Sequence, residues 1–175
     1  MATVPADLTW SSPFLTTVEF NRISSHLRFL SYRLGGFCEL IQTVVQDIPA
    51  NTDQPITFQN EEVDRDGGHD NLAQLSRYTV HTSGAYMLSG LITYAANATG
   101  FRAAKLVVNG STTLATSLRG PQTDGTETFV PVGSRLVRLN VGDYVELHAR
   151  QSTAGTLQTS IADAGSGMSV VFMGI

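Results

Sequence analysis

Residues 83–94 read SGAYMLSGLITY, and this stretch decides the fold. The turn signal Ser83-Gly84 opens a run of apolar, aromatic and β-branched residues, Ala85–Tyr94, that is typical of a strand. Similar runs recur on both sides of it, at Arg77–Val80, Ala104–Val108, Leu136–Leu139, Tyr144–Ala149 and Ser169–Met173. Turn signals separate these runs, among them Thr99-Gly100, Asn109-Gly110, Asp124-Gly125 and Ala154-Gly155. Short strands at this spacing predict an all-β sandwich or barrel, an architecture that places function on loops and outer faces.

Composition narrows the class of protein. The chain has 175 residues, which is enough for one good core, and only 15% of them are charged. So few charges favour a surface that is partly covered in a native assembly. The net charge of -4 argues against nucleic-acid binding, which needs a basic surface. Cys38 is the only cysteine, so we expect no disulfide within the chain and a buried, small apolar role for this residue.

Targeting signals are not evident in the sequence. The first residues lack the basic and apolar regions of a secretory signal. No stretch approaches the roughly 20 apolar residues that span a bilayer. We therefore expect a soluble protein made in the cytoplasm, with no membrane partner.

A short helix is predicted near the amino terminus. Thr16 or Thr17 can cap it, Glu19 lies in its first turn, and the helix is expected over Val18–Leu30 before Gly35-Gly36 stops it. Apolar residues recur at helical spacing, at Phe20, Ile23, Leu27, Leu30 and Leu34. Since so short a helix is marginal alone, its apolar side must pack on its own domain, on other copies in an oligomer, or on another protein.

The remaining segments divide the chain into two predicted parts. Residues 1–45 form an arm: an extended segment Met1–Pro13, the helix, and a first strand or lead-in at Phe37–Val45. Residues 46–175 form the β domain, in which Ile56–Phe58 begins a strand and Glu61–Asn71 and Gly120–Thr128 are polar loops.

Four motifs in the β domain resemble the globular heads of the complement component 1q and tumour-necrosis-factor superfamily. They are Phe58 with Asp64, Tyr78 with Gly84-Ala85-Tyr86-Met87-Leu88, Val141–Leu147, and Ser169–Ile175. The resemblance implies an antiparallel jelly-roll sandwich that assembles as a homotrimer, with aromatic residues buried along the three-fold axis. The candidates for that interface, or equally for the subunit's own core, are Tyr86, Tyr94, Tyr144 and Phe172.

The amino-terminal segment adds a second resemblance. Val4–Trp10, Leu15–Asn21 and His26–Leu30 are similar to a leader found in virion proteins of tailed phages, especially those that infect actinobacteria. Together with the jelly-roll head, it implies a homotrimeric structural protein on the virion surface, and we favour a capsid decoration (cement) protein. Its arm would bind the major capsid protein through Leu8, Trp10, Phe14, Phe20, Ile23, Leu27 and Leu30.

Two alternatives remain at this stage. A minor tail protein or tail-fibre knob that touches the host would need a binding site on loops such as Asn97–Phe101 or Gly120–Phe129. A lectin-like module unconnected to a particle would function without residues 1–34.

Catalytic and metal-binding patterns are weak. The acidic residues of Glu61–Asn71 offer oxygen ligands for calcium, but without the spacing of a calcium-binding loop, so a solvated turn is favoured. The four histidines are scattered, and no nucleophile motif or phosphate-binding loop is present. We expect no enzymatic activity, no cofactor and no metal.

Overall fold

A computed structural model describes residues 16–163 and 165–174. This part of the chain contains one helix, α1 (Thr17–Leu34), and twelve strands. The strands are β1 (Phe37–Ile41), β2 (Asp47–Ile48), β3 (Gln54–Pro55), β4 (Asn60–Asp64), β5 (Arg77–Thr79), β6 (Gly84–Tyr94), β7 (Arg102–Val108), β8 (Thr112–Arg119), β9 (Thr128–Leu139), β10 (Tyr144–Gln151), β11 (Leu157–Gln158) and β12 (Gly167–Gly174).

Two sheets form the body of the molecule. The first has five strands in the order β4-β1-β12-β6-β9. The second has the order β3-β10-β7-β8, with β5 also paired to β10, and β2 and β11 form a small separate ribbon. The strands of both sheets pair antiparallel. The predicted all-β antiparallel jelly-roll sandwich is confirmed.

The core lies between the two sheets. On β6 the inward residues Tyr86, Leu88 and Tyr94 are fully buried, and Leu106 and Leu147 face them from the second sheet. Alternation along the strands places these side chains on one face of each sheet. The Tyr94 hydroxyl crosses the sandwich, because it donates to the Ala103 carbonyl at 2.6 Å and accepts from the Arg150 amide at 3.1 Å.

The helix begins as the sequence predicts and ends later. Thr16 is its N-cap: its hydroxyl accepts from the Glu19 amide at 3.2 Å, and the Glu19 carboxylate accepts from the Thr16 amide at 2.8 Å. This reciprocal pair is a capping box. The prediction ended the helix at Leu30, but it continues to Leu34 because no residue between them breaks a helix.

Two glycines fix the junction between α1 and β1. A Cβ atom at Gly35 would lie 1.9 Å from the Phe172 ring, and one at Gly36 would lie 1.9 Å from the Tyr78 hydroxyl. Only glycine allows the backbone to approach the sandwich this closely. The Gly36 carbonyl accepts from the Phe172 amide at 2.7 Å, and the Gly35 carbonyl accepts from the Arg65 side chain at 3.1 Å.

Several segments differ from their predicted assignments. The strand or lead-in predicted at Phe37–Val45 is β1, which begins at Phe37 as expected but ends at Ile41, and it pairs with β12 on one side and β4 on the other. Strand β4 also occupies the start of the predicted loop Glu61–Asn71. Ile56–Phe58 is buried but is not a strand, since its amides bond singly to Leu147 and Leu75 carbonyls rather than along a ladder.

The sandwich has two distinct ends. Strand β6 starts at Gly84, beside the α1 junction, and finishes at Tyr94, which pairs with Thr128 next to the loop 120–127. The loop 95–101 follows Tyr94 at the same end. The 11 residues of β6 separate the two ends by roughly 35 Å. The helix therefore joins one end, and the long loops lie at the other.

Candidate interaction surface

The outward side of the five-stranded sheet is apolar. We call it the apolar sheet face; it consists of Phe37, Ile41, Met87, Leu91, Phe129, Pro131, Leu136, Val171 and Met173. One row runs straight across four strands, because the register places in line Phe37, Val171, Met87 and Leu136. A second row contains Ile41, Gly167, Leu91 and Pro131. Alternation that should expose polar residues instead exposes aliphatic and aromatic ones.

These side chains are largely uncovered in the single chain. Leu136 is 72% exposed, Phe37 43% and Met87 40%. A shallow depression of about 400 Å³ lies between the two rows, and it is lined by apolar Ile41, Leu91, Pro131 and Val132, by glycines, and by polar Glu39, Ser89 and Ser169. The register places a polar row, Glu39, Ser169 and Ser89, between the two apolar rows, so the centre of this face carries one negative charge and two hydroxyls. A contiguous exposed apolar area of this kind marks an interaction site.

The outward side of the second sheet is chemically different. We call it the charged sheet face; it consists of Asp53, Arg77, Lys105, Tyr144, Glu146, His148 and Arg150. Its charges are paired within the subunit: the Lys105 ammonium lies 2.6 Å from Asp53, and the His148 ring lies 3.0 Å from Glu146. The Arg77 guanidinium stacks 4.5 Å from the centre of the Tyr144 ring. Most charged groups of this face thus have partners within the subunit, although the buried Arg77 Nε has no hydrogen-bond partner.

Glu146 is the most enclosed carboxylate on the charged sheet face, at 8% exposure. Burial opposes its ionisation, but hydrogen bonds from His148 and from the Ser76 hydroxyl at 3.0 Å outweigh burial and hold its pKa below the ordinary value. Ser76, Glu146 and His148 do not form a nucleophilic triad. The serine donates to the carboxylate, whereas a triad needs the imidazole on the hydroxyl.

The four aromatic residues predicted for the trimer interface or the core lie elsewhere than on the apolar sheet face. Tyr86, Tyr94 and Phe172 belong to the subunit's own core, where the Tyr86 and Phe172 rings meet at 5.3 Å between centroids. The Tyr86 hydroxyl donates to the Thr82 carbonyl at 2.6 Å. Tyr144 is half-buried on the charged sheet face.

The residues predicted to anchor the arm are only partly visible. Leu8, Trp10 and Phe14 lie outside the described residues, as does the side chain of Leu30. Phe20 and Leu27 are 62% and 60% exposed on α1, and Ile23 is half-buried. The helix makes its main contact with the sandwich at β12, and among its described side chains Phe20 and Leu27 remain largely exposed.

Two acidic residues of Glu61–Asn71, Asp64 and Asp66, accept hydrogen bonds from groups of the same subunit. The Asp64 carboxylate accepts from the Gly68 and His69 amides at 3.2 and 2.8 Å, and Asp66 accepts from the Tyr78 hydroxyl at 2.8 Å. Burial raises the pKa of Asp66. Among residues 16–163 and 165–174, no three His, Cys, Asp or Glu side chains are grouped to hold a metal ion.

The loops at the far end are closed by their own hydrogen bonds. Asn97 accepts from the Thr99 amide at 2.9 Å, and the buried Arg102 guanidinium donates to the carbonyls of Asn97 and Gly100 at 2.6 and 3.0 Å. In the other loop, Asp124 accepts from the Thr126 amide at 3.1 Å. These contacts stabilise the loops in the free subunit.

The residues of the apolar sheet face were missed by the sequence reasoning, although a signal was present. In residues 85–94 (AYMLSGLITY) and 168–175 (MSVVFMGI), apolar residues occur on both sides of the predicted strand, at the odd-numbered and at the even-numbered positions. A strand that is apolar on both faces is covered on both faces. Considering both sets of alternating positions would have identified Met87, Leu91 and Val171, as well as Tyr86 and Phe172, as candidates for covered positions.

Comparison with known proteins supports the fold. No protein-family model matches the chain, and no curated protein matches its sequence. Among solved structures, the globular domain of zebrafish complement 1qA protein matches at a TM-score of 0.57 and 12% identity, covering 79% of this chain and 97% of that one. The structure of murine APRIL at pH 8.0 matches at a TM-score of 0.60 and 15% identity, covering 79% of this chain and 98% of that one. Eiger TNF from S. frugiperda matches at a TM-score of 0.58 and 15% identity, covering 79% of this chain and 93% of that one.

The jelly-roll fold of this chain is similar to the folds of these three structures. At such identities the likeness concerns the fold. No helix in the described part of the chain is long and apolar enough to cross a membrane.

Proposed function

We propose that this chain is a homotrimeric structural protein of a tailed-phage virion. In this proposal it decorates the outside of the capsid and binds the major capsid protein through its amino-terminal arm. The observation that carries the proposal is the apolar sheet face, an uncovered and nearly uncharged surface on a jelly roll of the complement 1q and tumour-necrosis-factor type.

Self-association is the simplest way to cover the apolar sheet face. Its two rows offer aliphatic and aromatic area without the charged residues that would select a polar partner. Burying such side chains stabilises a complex by roughly 25 cal/mol per Å² of apolar area, before the costs of association are subtracted. Copies of the same chain are present in equal amounts and at the same place, and the superfamily motifs favour three of them.

The arm supplies the contact with the particle. It joins the sandwich at the end opposite the long loops, so a head docked through its arm presents those loops outward. The leader-like segment that carries Leu8, Trp10 and Phe14 precedes the helix. In a trimer, three arms act together, and linkage raises the strength of a weak single contact through effective concentration.

Two measurements test the proposal. The solution mass of the purified full-length chain is expected to be that of a trimer. The chain is then mixed with heads from a phage that lacks this gene, and co-sedimentation is measured. A variant with Leu8, Trp10 and Phe14 changed to Ala is expected to remain trimeric and to lose most head binding. A matched control changes the neighbouring polar residues Thr9, Ser11 and Ser12 to Ala and keeps binding.

The outcomes separate the alternatives. A monomeric mass contradicts the trimer. A trimer that ignores heads but binds host cells moves the function to the tail. A trimer that ignores both, and binds a glycan equally well without residues 1–34, indicates the lectin-like module.

A further inference from the structure

The end of α1 is held by a side chain from a distant part of the sequence. Arg65 follows β4, and its guanidinium donates to the Gly35 carbonyl through Nε at 3.1 Å and through Nη2 at 2.5 Å. Gly35 is the C-cap of α1. The last carbonyls of a helix have no partner within the helix, and a cationic donor at this end also interacts favourably with the helix dipole. Arg65 therefore caps α1 from the sandwich.

The main chain fixes the place of Arg65. Its amide donates to the Phe37 carbonyl at 3.1 Å, which continues the pairing of β4 with β1 beyond Asp64. Its guanidinium carbon lies 5.6 Å from the centre of the Phe37 ring. Within the described part of the chain Arg65 forms no ion pair, so the Gly35 carbonyl and the Phe37 ring are what its side chain contacts. One residue thus joins the first strand of the sandwich to the end of the helix.

The rest of the junction is bonded to the sandwich as well. The Gly36 carbonyl accepts from the Phe172 amide at 2.7 Å. The Tyr78 hydroxyl, which a Cβ atom at Gly36 would approach to 1.9 Å, donates to the Asp66 carboxylate at 2.8 Å. Three consecutive carbonyls, those of residues 35–37, therefore accept hydrogen bonds from the sandwich.

Without these bonds the junction would be a flexible link. Two consecutive glycines allow the backbone more conformations than other residues do. Helix α1 has 18 residues, and its main contact with the sandwich is with β12. Since a helix of this length spans roughly 27 Å, a rotation of about 20° at the junction would move its far end by about 9 Å. Small changes at Gly35-Gly36 are thus large changes in the position of the arm.

We infer that Arg65 is the positioning residue of the arm: its contact with Gly35 locks the glycine junction and sets the direction in which α1 leaves the sandwich. The purpose of this lock rests on the proposed function, because an arm that binds a particle must leave the head at an angle that suits its binding site. Linked contacts strengthen one another only when the geometry lets them bind together, so three arms of a trimer need the same angle.

The contacts also show how Arg65 can be tested without disturbing the core. Arg65 is exposed, whereas Tyr78 is fully buried. Replacing the arginine removes the hydrogen bonds to the Gly35 carbonyl and leaves the backbone bonds at Gly36 and Phe37 in place. A substitution at Gly36 would instead push a side chain into Tyr78 and change the fold.

Distances between two spin labels test the inference in the full-length chain. The labels are attached at Ser25→Cys on α1 and Thr116→Cys on β8, both exposed positions, while the native Cys38 is 1% exposed and too enclosed to be labelled. The labelled chain is co-expressed with an excess of native chain, so that an assembly carries one labelled copy. Arg65→Gln removes the cationic donor and Arg65→Lys retains one. The matched control is Arg138→Gln, which changes an exposed arginine of β9 that has no ion pair among the described residues.

We expect one narrow distance distribution for the native sequence and for Arg138→Gln. Arg65→Gln should broaden the distribution, with the mass and the unfolding midpoint unchanged, and Arg65→Lys should restore most of the narrow form. Amide exchange in the last turn of α1 should be roughly fivefold faster in Arg65→Gln, the effect of losing one hydrogen bond. Binding of this variant to phage heads should weaken roughly tenfold, because its arms no longer share one direction.

Three results would overturn the inference. They are a distribution that stays narrow in Arg65→Gln, a distribution that is already broad in the native sequence, and a broadening that comes with a lower unfolding midpoint and is not reversed by Arg65→Lys. The last result assigns Arg65 to the stability of the fold. If the native protein fails to bind heads, the proposed function is contradicted, but the label distances still decide the role of Arg65, since its contacts lie within one chain.

Discussion

The two outward faces of the sandwich have the same strand geometry and opposite chemistry. On the charged sheet face, Lys105, Glu146 and their neighbours find partners within the subunit, at 2.6 to 3.0 Å. On the apolar sheet face, Met87 and Leu136 lie side by side and remain 40% and 72% exposed. The first face pairs most of its charges within one chain, whereas the second leaves apolar side chains exposed to solvent unless a partner covers them.

The comparison shows how a chain with few charged residues distributes its ion pairs between the two sheets. With 15% charged residues, the chain concentrates its ionic pairs on one sheet and leaves the other nearly free of them. Charged side chains on an outward face keep sheets apart, whereas rows of apolar side chains permit association. Substitutions on the two faces should therefore have different readouts, assembly for one and subunit stability for the other.

The largest effect is expected for Met87→Glu at the centre of the apolar sheet face. In a trimer the new carboxylate would be buried beside Val171 and Leu136 without a partner. An unpaired buried charge costs several kcal/mol, which raises the concentration of half-dissociation at least about 100-fold. Sedimentation equilibrium should show monomers at micromolar concentration, with the unfolding midpoint of the subunit little changed.

Thr116→Glu is the matched control for this substitution. Thr116 is exposed on β8 of the second sheet, where it pairs with Lys105 of β7. The substitution adds the same negative charge there as Met87→Glu adds on the first sheet. It should leave the mass unchanged. If Thr116→Glu dissociates the protein and Met87→Glu does not, the subunits associate through the charged sheet face and not through the apolar sheet face.

A smaller effect is expected for Glu146→Gln on the charged sheet face. Hydrogen bonds from His148 and Ser76 hold the pKa of Glu146 below its ordinary value, so ionised Glu146 stabilises the fold above the unfolded pKa. That stabilisation is lost as the pH falls through the folded pKa. The variant should lose about 1 kcal/mol of unfolding free energy at neutral pH, and the difference from wild type should shrink as the pH falls through the folded pKa of Glu146.

Urea unfolding between about pH 3 and 7 measures this difference, with Glu62→Gln as a control for an exposed carboxylate. The native mass should stay constant for both variants near neutral pH. A difference that grows on acidification would contradict the sign assigned to Glu146.

The smallest effect is expected for Lys105→Gln. The Lys105 ammonium lies 2.6 Å from Asp53 near the surface, and such pairs contribute about 0 to 1 kcal/mol. Chemical denaturation at low and at high salt should show a small loss that salt reduces further. A loss of several kcal/mol would mean that the charged sheet face is itself buried in the assembly.

The sequence predicted the local elements well and their limits less well. The cap at Thr16 and the stop at Gly35 depend on neighbouring residues, so the helix was correctly located, apart from its last turn. The strand or lead-in predicted at Phe37–Val45 was correct at its start and too long at its end, because the pairing of β1 with β12 and β4 stops at Ile41. The strand Asn60–Asp64 was read as loop because its acidic composition disguises a partly exposed edge strand, a position where charges are favourable.

By itself the sequence predicted an all-β sandwich or barrel, the capped helix and the helical spacing of its apolar residues, because these follow from short-range patterns of side chains; the jelly-roll topology was implied by the family resemblance. Only the tertiary structure decided which of two apolar sets on each strand faces the core. It placed Tyr86 and Phe172 inside and left Met87, Val171 and Phe37 in a row outside. The physical reason is that alternation fixes two faces per strand, but the stacking of the second sheet selects the one that is buried within the chain.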